Sequence, residues 1–180
     1  MWFCLDLDGI ELQLRITGYQ KSTDRWDEEW CRVDLSLRSD EWLNYQIKGQ
    51  EILLACEVEE LCHALHQLVT DQIEQECTVG FIEPDLAFNL SPKEDIRSNP
   101  KVVYVAPGHE ITDIGMDLEV AFWHDGLTAN RLTIAFGRSD IEQLLCYLRL
   151  ITKEITLDDD NAQQLIANKV IYESLNRTGE

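Results

Sequence analysis

The stretch Glu51-Ile52-Leu53-Leu54-Ala55-Cys56-Glu57-Val58-Glu59-Glu60-Leu61-Cys62-His63-Ala64-Leu65-His66-Gln67-Leu68-Val69 decides the fold, because its period changes midway. Ile52 to Ala55 is a short apolar run with no turn residue after it. From Val58 onward, Leu61, Cys62, Leu65, Leu68, Val69 and Ile73 recur at helical steps. That spacing makes one core stripe, with Glu57, Glu59, Glu60, Asp71 and Glu74 on a solvated acidic face. Gly80-Phe81-Ile82-Glu83-Pro84 then turns the chain into Asp85-Leu86-Ala87-Phe88-Asn89-Leu90, which alternates like a half-buried strand. A helix entered straight from one strand and left toward another needs a sheet to pack on.

Toward the N-terminus, Leu43, Tyr45 and Ile47 alternate in a strand, with Gly49-Gln50 as the turn into Ile52. Val33, Leu35 and Leu37 alternate with Arg32, Asp34, Ser36 and Arg38, and Asp40-Glu41 forms the next turn. Ile10, Leu12, Leu14 and Ile16 alternate with Glu11, Gln13 and Arg15, and Gly18-Tyr19-Gln20 ends that strand. Trp2 to Leu7 reads as a short strand or a loose arm. Strands this close in sequence connect most readily as hairpins, in an antiparallel meander.

Toward the C-terminus, Ser91 to Pro100 reads as a polar loop and Val102 to Val105 as a short strand broken by Pro107-Gly108. His109 to Gly115 is an irregular connection. Leu118, Val120 and Phe122 alternate, His124-Asp125-Gly126 turns, and Leu132, Ile134 and Phe136 alternate again. Ser139 opens a second helix, with Glu142 completing a capping box. Ile141, Leu144, Leu145, Leu148, Ile151 and Ile155 form its stripe. Asp158-Asp159-Asp160 suits the N-terminus of a third helix, where carboxylates meet the positive end of the dipole. Ala162, Leu165, Ile166, Val170 and Tyr172 support that helix. Asp34-Leu35 and Asp117-Leu118 open similar strands, and Val58 and Ile141 open similar stripes. Two related β-β-β-α halves sharing one sheet would give this echo, as would convergent patterning. The expected class is α+β: an antiparallel, meander-like sheet of about seven or eight strands, two helices packed on it, and an extra C-terminal helix. One domain over 1–180 is expected, with a core at 1–155 and a helical extension at 156–180.

Against 34 acidic residues stand 15 basic ones, a formal net charge of −19. Such a surface repels nucleic acid and anionic membrane, and it attracts a basic partner mainly by raising the association rate. Solubility alone would account for the same excess. No run reaches the roughly 18 apolar residues of a membrane span. Met1-Trp2-Phe3-Cys4-Leu5-Asp6 lacks the basic region of a signal peptide, and the six cysteines show no C-x-x-C spacing. A cytoplasmic protein with reduced thiols is expected.

Three motifs invite chemistry. Asp6-Leu7-Asp8-Gly9 matches the D-x-D-G of haloacid-dehalogenase-like phosphotransferases. A strand follows where those enzymes need a loop and helix, so a turn between strands is the better reading. His63 and His66, three apart with Cys62 or Cys77 nearby, could face one metal ion. A structural zinc site needs a second ligand pair, and Cys62 lies on the core stripe, so packing is preferred. No G-x-S-x-G elbow and no phosphate-cradling glycine loop occurs. No enzyme activity, metal or cofactor is expected; a metal-dependent or phosphoester hydrolase is the remoter alternative. More suggestive is Asp24-Arg25-Trp26-Asp27-Glu28-Glu29-Trp30, where carboxylates that can engage a partner's basic residues flank a tryptophan. Asp24, Trp26, Asp27, Glu28 and Glu29, with the turn residues Asp40 and Glu41, form the expected partner-binding set.

Gly9 to Gln20 resembles the opening strand and G-Y turn of the WapI-type immunity proteins. Trp30 and the strand running into a glutamate-bearing helix over Ile52 to Leu68 are similar as well. Phe81-Ile82-Glu83-Pro84-Asp85-Leu86-Ala87-Phe88 resembles that group's F-I-E-P-x-L-x-F segment, the most specific piece. The likeness spans roughly 9–155 and departs at Trp2 to Leu7, through His109 and after Thr156. It implies a cytoplasmic immunity protein. Its partner would be the C-terminal domain of a polymorphic or contact-dependent growth-inhibition toxin, often a nuclease and therefore basic, blocked by occlusion. An acidic structural or adaptor domain is the alternative.

Overall fold

The first reversal of the chain is fixed by two residues. Strand β1 (Trp2–Leu7) passes through Asp8 and Gly9 into β2 (Ile10–Thr17). Both turn residues have positive φ, 51° and 90°, as a two-residue hairpin matched to strand twist requires. Asp6 Oδ1 accepts the Gly9 N–H at 2.8 Å. The D-x-D-G motif is therefore a hairpin, and Trp2 to Leu7 is a strand. In this computed structural model, residues 1–21, 29–98, 100, 102–123 and 125–173 are described.

Strand β3 (Trp30–Ser39) turns at Asp40, φ 39°, into β4 (Leu43–Leu54), which runs without a loop into helix α1 (Ala55–Val69). Gly49 does not divide β4. It sits at φ 58° beside a register shift in the β3–β4 pairing, and its N–H donates to Asp34 Oδ1 at 2.9 Å. The residues expected to turn the chain form a bulge instead, where glycine supplies the left-handed backbone. Next come β5 (Cys77–Gly80), β6 (Leu86–Ser91), β7 (Glu94–Asp95), β8 (Ile111–Thr112), β9 (Gly115–Trp123) and β10 (Leu127–Phe136). Helix α2 (Arg138–Ile151), helix α3 (Asp160–Ala167) and β11 (Ile171–Tyr172) finish the described chain.

The class is α+β and its sheets are antiparallel, but the strands do not share one sheet. One sheet has the order β11-β1-β2-β3-β4, a second β10-β9-β6-β5, and β7 pairs with β8 alone. The chain leaves the edge of β4 through α1, so β5 begins a new sheet. The strand number exceeds the expectation because β7, β8 and β11 have two residues each, too few to show alternation. Val102 to Val105 form no strand; Val103 and Tyr104 are exposed.

Two compact units result, Met1–Cys62 with Gln143–Glu180, and His63–Glu142; the divisions fall within α1 and α2. In the first, one face of the five-stranded sheet is core: Phe3, Leu5, Leu12, Leu14, Val33 and Leu37 are buried. Tyr147 of α2 stacks on Phe3, centroids 5.2 Å apart, and its hydroxyl accepts the Ile16 N–H at 2.9 Å. Burial raises the Tyr147 pKa. In the second, Leu86, Phe88, Met116, Leu118, Val120 and Ile134 form the buried face, and Phe81 packs edge-on against Phe88.

Asp159 caps α3, accepting the Asn161 N–H at 3.0 Å. The helix stops before Lys169, φ 60°, so Val170 and Tyr172 are not helical. Ile171 and Tyr172 pair with Phe3 and Trp2, making the C-terminal segment an edge of the first sheet.

Candidate functional site

Of the expected partner-binding residues, Asp24, Trp26, Asp27 and Glu28 lie outside the described residues. Glu29, Asp40 and Glu41 are exposed. They are not brought together: Glu29 precedes β3 and Asp40 follows it, which separates them by about 33 Å along ten residues of strand. Glu29 also has a structural task, since its carbonyl accepts the Ala55 N–H at 2.8 Å where α1 begins. Close by, Tyr19 donates its hydroxyl to Glu59 Oε1 at 2.5 Å. Burial, then the Glu59 carboxylate, raises the Tyr19 pKa.

Asp40 and Glu41 share their hairpin tip with Trp42, two-thirds exposed, whose backbone N–H donates to the Ser39 carbonyl. The register sets this tip beside that of Asp8-Gly9, because Glu11 pairs with Arg38 and Leu7 with Ile10. Carboxylates and an exposed indole thus meet at one end of the five-stranded sheet. Trp42 escaped the sequence reading because a tryptophan before an alternating strand looks like core.

Glu57 does not belong to the solvated face of α1. It is buried, and its Oε2 accepts the Leu54 N–H at 2.8 Å. The carboxylate of the third helical residue thereby satisfies the N-cap donor, one half of a capping box. Helix α2 does the same two residues earlier than expected: Gly137 is the N-cap, and Asp140 Oδ2 accepts its N–H at 3.0 Å. Glu142 instead lies 3.7 Å from Arg138.

His63 and His66 are exposed, and no group of three metal-ligating side chains converges among the described residues. Burial pushes the Cys62 thiol up to about 11, reinforced by Glu154, which suits a packed cysteine rather than a ligand or nucleophile. No described helix is long and apolar enough to cross a membrane.

The four-stranded sheet carries a feature the sequence did not single out. Trp123 is half exposed, yet its indole Nε1 donates at 2.9 Å to Oδ1 of Asp85, which is buried. Desolvation raises the Asp85 pKa, and the indole hydrogen bond pulls it back. Leu127, the register partner of Trp123, is exposed beside it. Further along the same face, Thr78 donates to Asn89 and Asn89 to Glu119, both at 2.7 Å.

Across these elements, from β1 through α2 and stopping before α3, residues 3–156 match the family model described as Immunity protein WapI-like family. No curated protein matches the chain. The match covers the four-stranded sheet, the five-stranded sheet apart from its edge strand β11, and both long helices, and it includes the F-I-E-P segment at Phe81 to Pro84. The chain belongs to the WapI-like immunity protein family, and this membership implies a cognate toxin as its partner.

Proposed function

We propose that the protein neutralises the C-terminal domain of a polymorphic or contact-dependent growth-inhibition toxin in the cytoplasm of the cell that makes it. It does so by covering the toxin's active site or substrate path, and it performs no chemistry of its own. The family match over 3–156 carries this reading, and the net charge of −19 supports its finer part. A nuclease presents a basic cleft to phosphate, and an acidic protein competes for that cleft and is drawn to it at long range. The segment Asp24 to Glu29, with Asp40 and Glu41 at the hairpin tip, contributes to the field that guides approach.

The test is binding to the C-terminal domain of the toxin encoded beside this chain. A one-to-one complex that abolishes toxin activity is expected. Its association rate should fall at least about tenfold between low and high salt, because steering of this kind is screened. Replacing Asp24, Asp27, Glu28 and Glu29 together by lysine should slow association; an unchanged rate would move the steering charges elsewhere. Absence of a complex, or substrate turnover by this chain alone, would overturn the proposal.

A further inference from the structure

We propose that the outward face of the four-stranded sheet β10-β9-β6-β5 is the surface on which the cognate toxin docks, with Trp123 and Leu127 as its apolar anchor. This rests on the immunity reading above and adds to it the place of contact. Strand alternation sends Leu86, Phe88, Met116, Leu118 and Val120 into the core, and it leaves the opposite face, beyond Asp85 and Ala121 buried next to Trp123, to Ala87, Asn89, Asp117, Glu119, Thr133 and Ala135. All six are half-buried or exposed. Their side chains are mostly small, which keeps the face open to a large partner.

Two arrangements mark it as more than solvated surface. The first is Trp123. Burying Asp85 disfavours its charged form, and the return on that cost is a hydrogen bond that holds an indole with half its area in water. A core-packing role would bury the ring itself. Leu127 is its cross-strand neighbour on the same side, 45% exposed against 49% for Trp123. A pre-positioned tryptophan next to an exposed leucine loses little side-chain freedom when a partner covers it, which is the property of a binding hot spot. The second is Glu119, oriented by the Thr78–Asn89 relay and flanked on its strand by Asp117. Arg131 is the one basic residue in these four strands, and its guanidinium turns back to the Thr128 and Asn130 carbonyls at 2.7 and 3.0 Å. Among the described residues neither carboxylate is in an ion pair, so both are open to an outside cation. The complementary surface is a protein with an apolar recess bordered by lysine or arginine, which matches a basic toxin domain.

Hydrogen exchange of the wild-type protein, free and bound to the neighbour-encoded toxin domain, decides the matter without any variant. Slowed exchange along Gly115–Trp123 and Leu127–Phe136 in the complex is expected; unchanged exchange there in a formed complex would overturn the proposal and leave the immunity reading intact. Leu127→Asp, verified as folded by circular dichroism, should raise the dissociation rate at least about tenfold. Asp117→Lys with Glu119→Lys should slow association at low salt, and the difference should fade at high salt. Wild-type kinetics in both variants would likewise remove this face as the site. If the wild-type protein forms no complex, the docking face and the immunity reading fall together.

Discussion

Helices α1 and α2 use one device in two environments, and removing it from each separates the worth of a buried cap from that of an exposed one. In α1 the Leu54 N–H and the Glu57 carboxylate are both buried. Glu57→Ala leaves that donor with neither protein nor water, at about 1–3 kcal/mol, and removes a negative charge from a helix N-terminus, worth about 0.3–1 kcal/mol. A net loss of about 2 kcal/mol follows, since some desolvation of the carboxylate is relieved. In α2 the Gly137–Asp140 bond is exposed, so water replaces the lost acceptor and Asp140→Ala costs about 0.5–1 kcal/mol. Each variant removes one unit of charge from a chain at −19, so relief of general repulsion cancels in the comparison. In thermal unfolding, about 4–8 °C should be lost for Glu57→Ala and about 1–4 °C for Asp140→Ala. Circular dichroism and tryptophan fluorescence should be followed together, so that a two-state transition is verified. Glu57→Gln keeps an acceptor oxygen in place and should recover most of the loss. Equal costs for the two alanine variants, or a glutamine variant as damaging as alanine, would refute the assignment of Glu57 as a buried cap.

Two further outcomes follow from the ionisable groups. Arg138 begins α2, an unfavourable end of the dipole for a cation, and donates to both oxygens of Asp113 at 2.7–2.9 Å. Those bonds hold the Asp113 carboxyl down at about 2. A lowered folded-state pKa stabilises above the unfolded value of about 3.9 and ceases to do so as pH falls through the folded one. Asp113→Asn should therefore melt lower than wild type at neutral pH, by the small amount proper to an exposed pair. The gap should close between pH about 4 and about 2, and a gap independent of pH would contradict the pairing. Among the thiols, burial pushes Cys31 and Cys62 up to about 11, while Cys77 is exposed. An aromatic disulfide reagent at pH about 8 should titrate Cys77 in the native protein and reach Cys31 and Cys62 only after denaturant is added; prompt native reaction of either buried thiol would contradict their packing.

The stripe of α1 was readable because Val58, Leu61, Cys62, Leu65 and Leu68 answer to one period, and all five are buried. Glu57 was not, because residue type alone places a glutamate outside, whereas an unpaired N–H at Leu54 draws this one in. The same blindness set the start of α2 at Ser139: the S-x-x-E pattern is present, but the N-cap is Gly137, which has no side chain to announce it. Gly49 read as a turn because a bulge and a turn demand the same left-handed backbone; only cross-strand register tells them apart. The division into two sheets left no mark, since alternation reports which face of a strand is buried and not which neighbour it joins. At the candidate site, the outward placement of Asp117 and Glu119 is written in alternation. The Asp85–Trp123 bond joins residues 38 apart, and no local pattern encodes it.

The echo between the halves of the chain takes a definite form once the sheets are separated. Strands β1, β2, β3 and β4 are consecutive neighbours and run into α1; β5, β6, β9 and β10 are consecutive neighbours and run into α2, with β7 and β8 inserted between the middle pair. Leu54, Glu57 and Val58 occupy the N-cap, third and fourth helical positions of one helix, and Gly137, Asp140 and Ile141 those of the other. A sheet whose last strand becomes a helix with little or no loop has no room for a separate capping segment, so the helix must supply its own acceptor, and an acid at the third position is the nearest that reaches. The physical constraint is enough to produce the likeness at these positions, whatever their ancestry. It also bears on function. Each large sheet carries a buried face, and exposed carboxylates and apolar groups lie elsewhere, at the tip with Asp40, Glu41 and Trp42 on one unit and along the outward face with Glu119, Trp123 and Leu127 on the other. The proposed covering of a toxin calls for such surfaces to be held in place, which the Asp85–Trp123 and Thr78–Asn89–Glu119 hydrogen bonds do on the second unit.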